Sequence, residues 1–175
     1  RDDFSAARNE ALDQARGRFV LCLDADERLA AGSGAALRAR LRDMADRGAP
    51  PVALQVVSRS PLRPGDRRGL IAAAVRVFPN RREVRFCWPV HEQVQTSLAR
   101  AGSPVVATEL TVGHIGYTDP VARRAKQRRN QELDRAYGMT VDGPIALAPD
   151  ASAKAAPPRL AFVLGSGLGH VADAV

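Results

Sequence analysis

The chain has 175 residues, of which 45% are hydrophobic and 26% are charged, and these proportions are ordinary for a globular domain. It contains no apolar run long enough to cross a membrane as a helix, so the sequence predicts no transmembrane segment. The formal net charge of +7 favours partners that carry phosphate, such as nucleotides, nucleic acid or anionic lipid. Two cysteines exclude a disulfide framework, and a reducing cytoplasmic location is expected.

The first predicted elements are a helix and a buried strand. Asp3 precedes a helical segment whose apolar stripe contains Phe4, Ala7 and Ala11, and Gly17 is predicted to end that helix. The apolar run 18–23 follows at once. Such a run is typical of a strand that is covered on both faces, as in a parallel sheet.

Two acids, Asp24 and Asp26, follow directly after this strand, where open α/β sheets bind their ligands. In extended backbone, residues two apart point the same way and lie roughly 6.5 Å apart. The pair could therefore hold a hard cation that keeps a substrate phosphate as a further ligand. An alternative is that Asp24 begins a turn and that Asp26 and Glu27 cap a helix.

The middle of the chain predicts a helix followed by several strands. The predicted elements are a helix over 34–46, a strand over 52–57, an exposed loop over 58–69, a strand over 71–78, the return strand of a hairpin over 84–86 and a final strand over 104–112. This order indicates an α/β beginning with a more antiparallel second half.

A long basic helix and a different tail complete the chain. Asp119 as N-cap and Pro120 at the first helical position predict a helix that ends near Tyr137. Its basic face is interpreted either as a solvated surface or as a dock for phosphate or an acidic surface. Residues 139–158 have the composition of a linker, and a short strand with a glycine-rich segment follows in 159–175.

Several segments, in order, resemble a family 2 glycosyltransferase of the GT-A fold. The first carries Ala-Arg-Asn at 7–9 and Leu-Asp-Ala-Asp-Glu at 23–27; later ones are 75–80, 90–94, 112–117 and the basic helix. The resemblance implies an incomplete GT-A (Rossmann-like) α/β mixed sheet flanked by helices, which lacks the first nucleotide-binding βαβ unit. Residues 1–138 would form this N-terminally truncated domain, residues 139–158 a linker and residues 159–175 a tail.

The resemblance also implies a donor site. Arg8, Asn9 and Asp24 would bind a nucleotide-diphosphate sugar. Asp26 and His114 would ligate a divalent cation, manganese or magnesium, that neutralises the diphosphate leaving group. From the residues alone, Arg8 could equally form a surface ion pair with a neighbouring acid, and His114 could be a structural residue.

The same resemblance places the catalytic base at Glu92, with His91 orienting it or binding the acceptor. The base would take the proton of an acceptor hydroxyl of a glycan, lipid or protein, and one-step displacement would invert the anomeric centre. A structural hydrogen-bonded pair of His91 and Glu92 is the alternative. Nucleic acid is not expected as a partner.

The tail carries a second resemblance. Residues 158–169 resemble the N-terminal phosphate loop of a purine nucleoside phosphorylase, in which backbone amides and Ser166 would approach phosphate. A phosphorylase-related phosphate-binding piece and a non-enzymatic basic module are therefore the alternatives to metal-dependent sugar transfer.

Overall fold

The structure, a computed structural model, describes residues 3–47, 50–62, 69–116, 118–137, 160–164 and 171–174, the last two ranges as backbone. The helices are α1 (Phe4–Gln14), α2 (Ser33–Asp46), α3 (Gln95–Arg100) and α4 (Pro120–Tyr137). The strands are β1 (Phe19–Leu23), β2 (Glu27–Leu29), β3 (Ala53–Ser60), β4 (Leu70–Pro79), β5 (Val105–His114), β6 (Leu160–Leu164) and β7 (Val171–Ala174).

These strands form one mixed sheet in the order β2-β5-β3-β4-β1-β6-β7. β1 pairs antiparallel with β4 and parallel with β6, so it has a neighbour on each side. β3 pairs antiparallel with β4 and parallel with β5. The predicted mixed α/β class is therefore confirmed at this coarse level.

The core lies on both faces of the sheet, because successive side chains of β1 point to opposite faces. Val20 and Cys22 pack on the α1 side with Leu12. Phe19 and Leu21 belong to a separate cluster that includes Leu37, Leu41 and Met44 of α2. All five residues of β1 are buried, which confirms the predicted strand covered on both faces.

Helix α1 begins as predicted and ends earlier. The Asp3 carboxylate accepts a hydrogen bond of 2.9 Å from the Ala6 amide and caps the helix. The cap at the other end is Ala15, which has extended backbone, so the prediction that Gly17 ends the helix is wrong. The Asn80 side chain donates to the carbonyls of Ala15 and Gly17 and satisfies them instead.

Other predicted bounds also need correction. The loop expected over 58–69 begins later, because β3 continues to Ser60 through its pairing with β4. The hairpin strand expected at 84–86 is wrong, since only an isolated bridge between Cys87 and Gln93 forms nearby. The short elements β2 and α3 were not predicted. The linker over 139–158 and the glycine-rich stretch of the tail lie outside the described residues.

Helix α4 has the predicted bounds, and the Asp119 carboxylate accepts a hydrogen bond of 2.8 Å from the Val121 amide at its start. No residue of α4 is buried. Asp134 contacts His91, and the Arg129 guanidinium lies over the Phe4 ring, so these contacts help to tie α4 to the body of the domain. Of the described helices, none is both long and apolar enough to cross a membrane.

Candidate functional site

A cleft of about 500 Å³ opens beside the end of β1. Four elements contribute to its walls: α1, the turn after β1, the loop before α3, and α4. The lining residues are Phe4, Arg8, Asp24, Ala25, Asp26, Val90, His91, Glu92, Lys126 and Asn130. The fold thus brings most of the predicted site residues to one place, although they come from distant parts of the chain.

Arg8 is the centre of the charged cluster in this cleft. Its Nη2 donates to Asp24 Oδ1 at 2.6 Å, and its Nε donates to Glu92 Oε1 at 2.7 Å. Its Nη1 donates to the sulfur of Cys22 at 3.0 Å, and its guanidinium carbon lies 5.2 Å from the centre of the Phe86 ring. Arg8 is only 6% exposed, so the alternative of a surface ion pair is wrong.

The cluster shifts the ionisation of its members. Burial alone would lower the pKa of Arg8, but the carboxylates of Asp24 and Glu92 help to outweigh it, and that pKa is raised above its ordinary value. Burial would raise the pKa of Asp24, but the neighbouring Arg8 and Arg76 hold it below its ordinary value. Burial raises the pKa of the Cys22 thiol. The electrostatic surroundings therefore keep Arg8 and Asp24 charged and Cys22 neutral near pH 7.

A second arginine and a buried acid extend this cluster, and both were missed as site residues. Arg76 Nη2 lies 3.4 Å from Asp24 Oδ2 and also pairs with Glu27 Oε1. Glu27 is 6% exposed, and its Oε2 accepts a hydrogen bond of 2.9 Å from the Asp24 amide. An arginine within an apolar strand needs a partner once it is buried, and this rule could have identified Arg76.

The turn after β1 sends its two aspartates to different partners. The strand ends at Leu23, and the Glu27 amide donates to the Asp24 carbonyl at 2.9 Å to close the turn. The prediction that both acids follow the period of an extended strand is therefore wrong. The turn at Asp24 is confirmed, but Glu27 begins β2, so the alternative of a helix cap at this point is also wrong.

Asp26 faces His114. Its Oδ2 lies 3.0 Å from His114 Nε2, and His114 Nδ1 lies 3.0 Å from Ser60 Oγ. The pairing of β2 with β5 sets Glu27 opposite His114 in the sheet, and this register positions the imidazole beside Asp26. His114 is 7% exposed.

The donor set can be compared with the needs of a divalent cation. The described part of the chain contains no group of three or more His, Cys, Asp or Glu side chains that could hold a metal. Asp26 and His114 offer one carboxylate oxygen and one imidazole nitrogen side by side, ligand types that manganese accepts. They fit a cation that is shared with a substrate, since phosphate oxygens and water complete such sites.

Asn9, which was predicted to bind the nucleotide-diphosphate sugar, hydrogen-bonds to the backbone of Phe86 instead of lining the cleft. Its Nδ2 donates to the Phe86 carbonyl at 2.9 Å, and its Oδ1 accepts from the Phe86 amide at 2.8 Å. Both ends of its side-chain amide are thus engaged by backbone, and Asn9 is not among the residues that line the cleft. Asn9 ties α1 to the segment that leads into the Glu92 loop.

The loop that carries Glu92 has unusual backbone. Trp88 and His91 adopt φ angles of 72° and 54°, which residues other than glycine rarely adopt. The Phe4 amide donates to the Pro89 carbonyl at 2.9 Å, and His91 Nε2 lies 3.1 Å from an oxygen of Asp134 on α4. Such conformations persist where the surrounding structure imposes them, and they often mark ligand sites.

The acid dependence of stability should report the Asp24 ion pairs. Because the pKa of Asp24 is lower in the folded chain than its ordinary value of about 3.9, its stabilisation is complete above that value and is lost as pH falls through the folded pKa. We expect the free energy of unfolding in urea, measured from pH 7 to pH 2.5, to be lower for Asp24→Asn than for wild type, and we expect this difference to shrink below about pH 4. Asp43→Asn, which changes an exposed ion pair, should differ little from wild type at any pH. A difference for Asp24→Asn that is as large at pH 2.5 as at pH 7 would contradict this account.

The fold and the cleft define a mixed α/β domain with a charged pocket at the end of a central strand. A comparison with models of known protein families finds no match. A TPR repeat-containing protein of Synechococcus elongatus is 39% identical to the chain over 99 residues, which are 55% of this chain and 22% of that protein. The chain thus spans about a fifth of the length of this relative.

These comparisons correct the family resemblance drawn from the motifs. No glycosyltransferase family matches, and the relative carries a TPR name, so the assignment to a family 2 glycosyltransferase is wrong. The physical reason is that each motif is short and that an Asp-x-Asp after a buried strand occurs in many α/β proteins. The likeness of residues 158–169 to a phosphorylase loop has no support either, and its glycine-rich part lies outside the described residues.

Proposed function

We propose that the cleft binds a nucleotide-diphosphate sugar and that the chain contributes to transferring the sugar to an acceptor hydroxyl with inversion. One observation carries the proposal: Arg8 joins Asp24 to Glu92 inside a cleft of about 500 Å³ that Asp26 also lines. A cleft of this size suits a small organic ligand with a few converging polar groups.

The donor diphosphate would enter between the turn after β1 and α4. Lys126 lines this side, and its charge is one of those that lower the pKa of Asp24. Asp26 and His114 would hold a manganese or magnesium ion, which supplies Lewis-acid neutralisation of the leaving diphosphate when it is bound. Lys126 would contribute a further positive charge to the same phosphates.

Glu92 would serve as the general base. Its Oε1 is fixed by Arg8 at 2.7 Å, and its side chain is 16% exposed at the wall of the cleft. A carboxylate held this way can accept the proton of an acceptor hydroxyl as the sugar carbon is attacked. His91 contacts Asp134, so we assign it the role of holding α4 over the cleft, and orientation of Glu92 falls to Arg8.

The finer parts of the sequence prediction belong to this proposal. They are a GT-A arrangement of the sheet, an acceptor that is a glycan, lipid or protein, and a cytoplasmic location.

A second candidate, a non-enzymatic phosphate- or nucleic-acid-binding module, is favoured by α4. This helix buries none of its residues, and its basic side chains are Arg123, Arg124, Lys126, Arg128, Arg129 and Arg135. Such a surface would bind a polyanion through its phosphates, with an affinity that falls steeply as salt rises.

Calorimetric titration of the 175-residue chain with UDP tests the proposal. We expect manganese to strengthen UDP binding by about tenfold or more, and we expect Asp26→Ala to abolish that gain because one of two protein ligands is removed. Asp43→Ala, which changes an exposed acid on α2, is the matched control and should bind as wild type does.

Two results would contradict the proposal. One is UDP binding that is indifferent to manganese, and the other is manganese-dependent binding that Asp26→Ala leaves intact. Salt-sensitive binding of nucleic acid together with no UDP binding would instead support the basic module.

A further inference from the structure

Helix α4 has two faces with different surroundings. On one face, Lys126 and Asn130 lie about one turn apart and line the cleft. With about 3.6 residues per turn, Arg124, Arg128 and Arg135 lie on the opposite side of the helix, within an arc of about 40°. All three side chains are exposed, and none of them is among the residues that line the cleft. They therefore face solvent and belong to a surface separate from the cleft.

An apolar side chain lies on this same outward face. Val121 comes three positions before Arg124 and seven before Arg128, and these spacings place it on the same side of the helix. Val121 is 75% exposed. Together Val121, Arg124, Arg128 and Arg135 form what we call the outer stripe, which is about 21 Å long at about 1.5 Å per residue.

The charges of the outer stripe are available to a partner. In the part of the chain that the structure describes, none of its three arginines forms an ion pair. The acid of α4 on this side is Glu132, which is exposed and lies about 20° beyond Val121 around the helix. The outward face of α4 thus presents three positive charges against one negative charge.

Helix α2 shows that exposed arginines need not form such a stripe. Arg38, Arg40 and Arg42 are exposed as well. Arg40, however, lies about 160° around the helix from both of the others, so these charges face in different directions. Helix α2 therefore offers the same number of arginines without a common direction, and it is a matched control surface.

The combination of side chains in the outer stripe favours one kind of partner. Guanidinium groups pair with phosphate oxygens, which both nucleic acids and anionic lipids provide. A bilayer also accepts apolar groups below its headgroups, namely a valine side chain and the aliphatic stems of the arginines. A nucleic-acid backbone offers phosphates but no such apolar layer, so an exposed valine between arginines fits a bilayer better.

We propose that the outer stripe docks the chain on a membrane surface that contains anionic lipids. The three arginines pair with lipid phosphates, and Val121 enters the headgroup region. Lys126 and Asn130 lie on the other side of α4, so docking leaves the cleft accessible. Membrane docking of this kind goes beyond the proposed function and does not depend on sugar transfer.

Co-sedimentation of the 175-residue chain with lipid vesicles tests this inference. We expect binding to vesicles of about 70% phosphatidylcholine and about 30% phosphatidylglycerol, and we expect none to pure phosphatidylcholine. The triple variant Arg124→Gln, Arg128→Gln, Arg135→Gln should bind the anionic vesicles about 100-fold more weakly, because each arginine near such a surface strengthens binding about fivefold.

The matched control is the triple variant Arg38→Gln, Arg40→Gln, Arg42→Gln on α2. It removes the same charge from exposed positions, and it should weaken vesicle binding by less than about threefold, because salt screens charges that do not touch the membrane. An equal loss in the α2 variant and the outer-stripe variant would overturn the inference, since net charge alone would then explain binding.

Two single substitutions test the two kinds of contact separately. Glu132→Gln removes the acid beside the stripe and should strengthen vesicle binding about fivefold, a gain that misfolding cannot produce. Val121→Ser should weaken it by about three- to tenfold, because an apolar contact is lost without any change of charge. Unchanged binding in both variants would overturn the inference even where the outer-stripe variant fails to fold.

The remaining outcomes separate membrane docking from other roles of the chain. Wild type that ignores anionic vesicles, or that binds a DNA duplex and no vesicles, would overturn the inference. Vesicle binding that depends on the outer stripe, in a chain that never binds UDP, would support membrane docking and reject the proposed function. Manganese-dependent UDP binding together with no vesicle binding would reject membrane docking alone.

Discussion

Replacing Arg8 with alanine should lower the free energy of unfolding by about 3–5 kcal/mol, the cost of leaving buried charges without their partner. The guanidinium is 6% exposed and pairs with both Asp24 and Glu92. Without it, Asp24 keeps the pair with Arg76 and the charge of Lys126, and Glu92 loses the partner that fixes it. Urea unfolding at pH 7 measures the loss.

The matched control for this prediction is Arg47→Ala. Arg47 also pairs with a carboxylate at 2.6 Å, but its side chain is 75% exposed and that of its partner Asp43 is 45% exposed. Solvent screens such a pair, so the change should cost less than about 1 kcal/mol. An equal loss of free energy of unfolding in Arg8→Ala and Arg47→Ala would show that burial does not make the Arg8 ion pairs more stabilising.

Replacing Gly116 with alanine should remove the cation site while the fold remains. A Cβ at Gly116 would collide with Asp26 Oδ2 and would lie 3.0 Å from Asp26 Cγ and 3.3 Å from His114 Nε2. The carboxylate must therefore move away from the imidazole. We expect manganese to bind about 10–100-fold more weakly, as when a metal ligand loses its supporting geometry, so that the gain in UDP affinity from manganese is largely lost.

Gly113→Ala is the control for Gly116→Ala. Gly113 lies in β5, and the nearest atom to a Cβ there is the Arg28 carbonyl oxygen at 3.9 Å, an ordinary contact. Both variants should unfold at temperatures near that of wild type. A Gly116→Ala chain that keeps full manganese dependence would show that the Asp26–His114 contact is not needed for the site.

The sequence predicted the position of the cleft better than its internal geometry. The apolar run of β1 and the acids after it are local signals, and they placed Asp24 and Asp26 at the end of a central strand. The direction of each acid depends on a turn and on the pairing of β2 with β5, which joins residues far apart in sequence. The period of a strand could not supply that information, since it applies only while the strand continues.

Helix α1 shows the same limit. Its start followed from the Asp3 cap, but the apolar stripe through Phe4, Ala7 and Ala11 is not its buried face. The buried residues are Ser5, Arg8 and Leu12, because distant carboxylates make an arginine acceptable inside. Within the helix the acids near Arg8 suggested a surface pair, and only the fold could reveal Glu92 as its partner.

The position of β1 has a consequence for how the chain acquires its structure. The strand Phe19–Leu23 is made before both of the strands beside it, in which Pro79 and Leu160 pair with Phe19. Contacts between such distant residues form slowly, because a long stretch of chain must first be brought together. On the ribosome this apolar segment therefore remains unpaired until the neighbouring strands have been made, and chaperones can bind it during that interval.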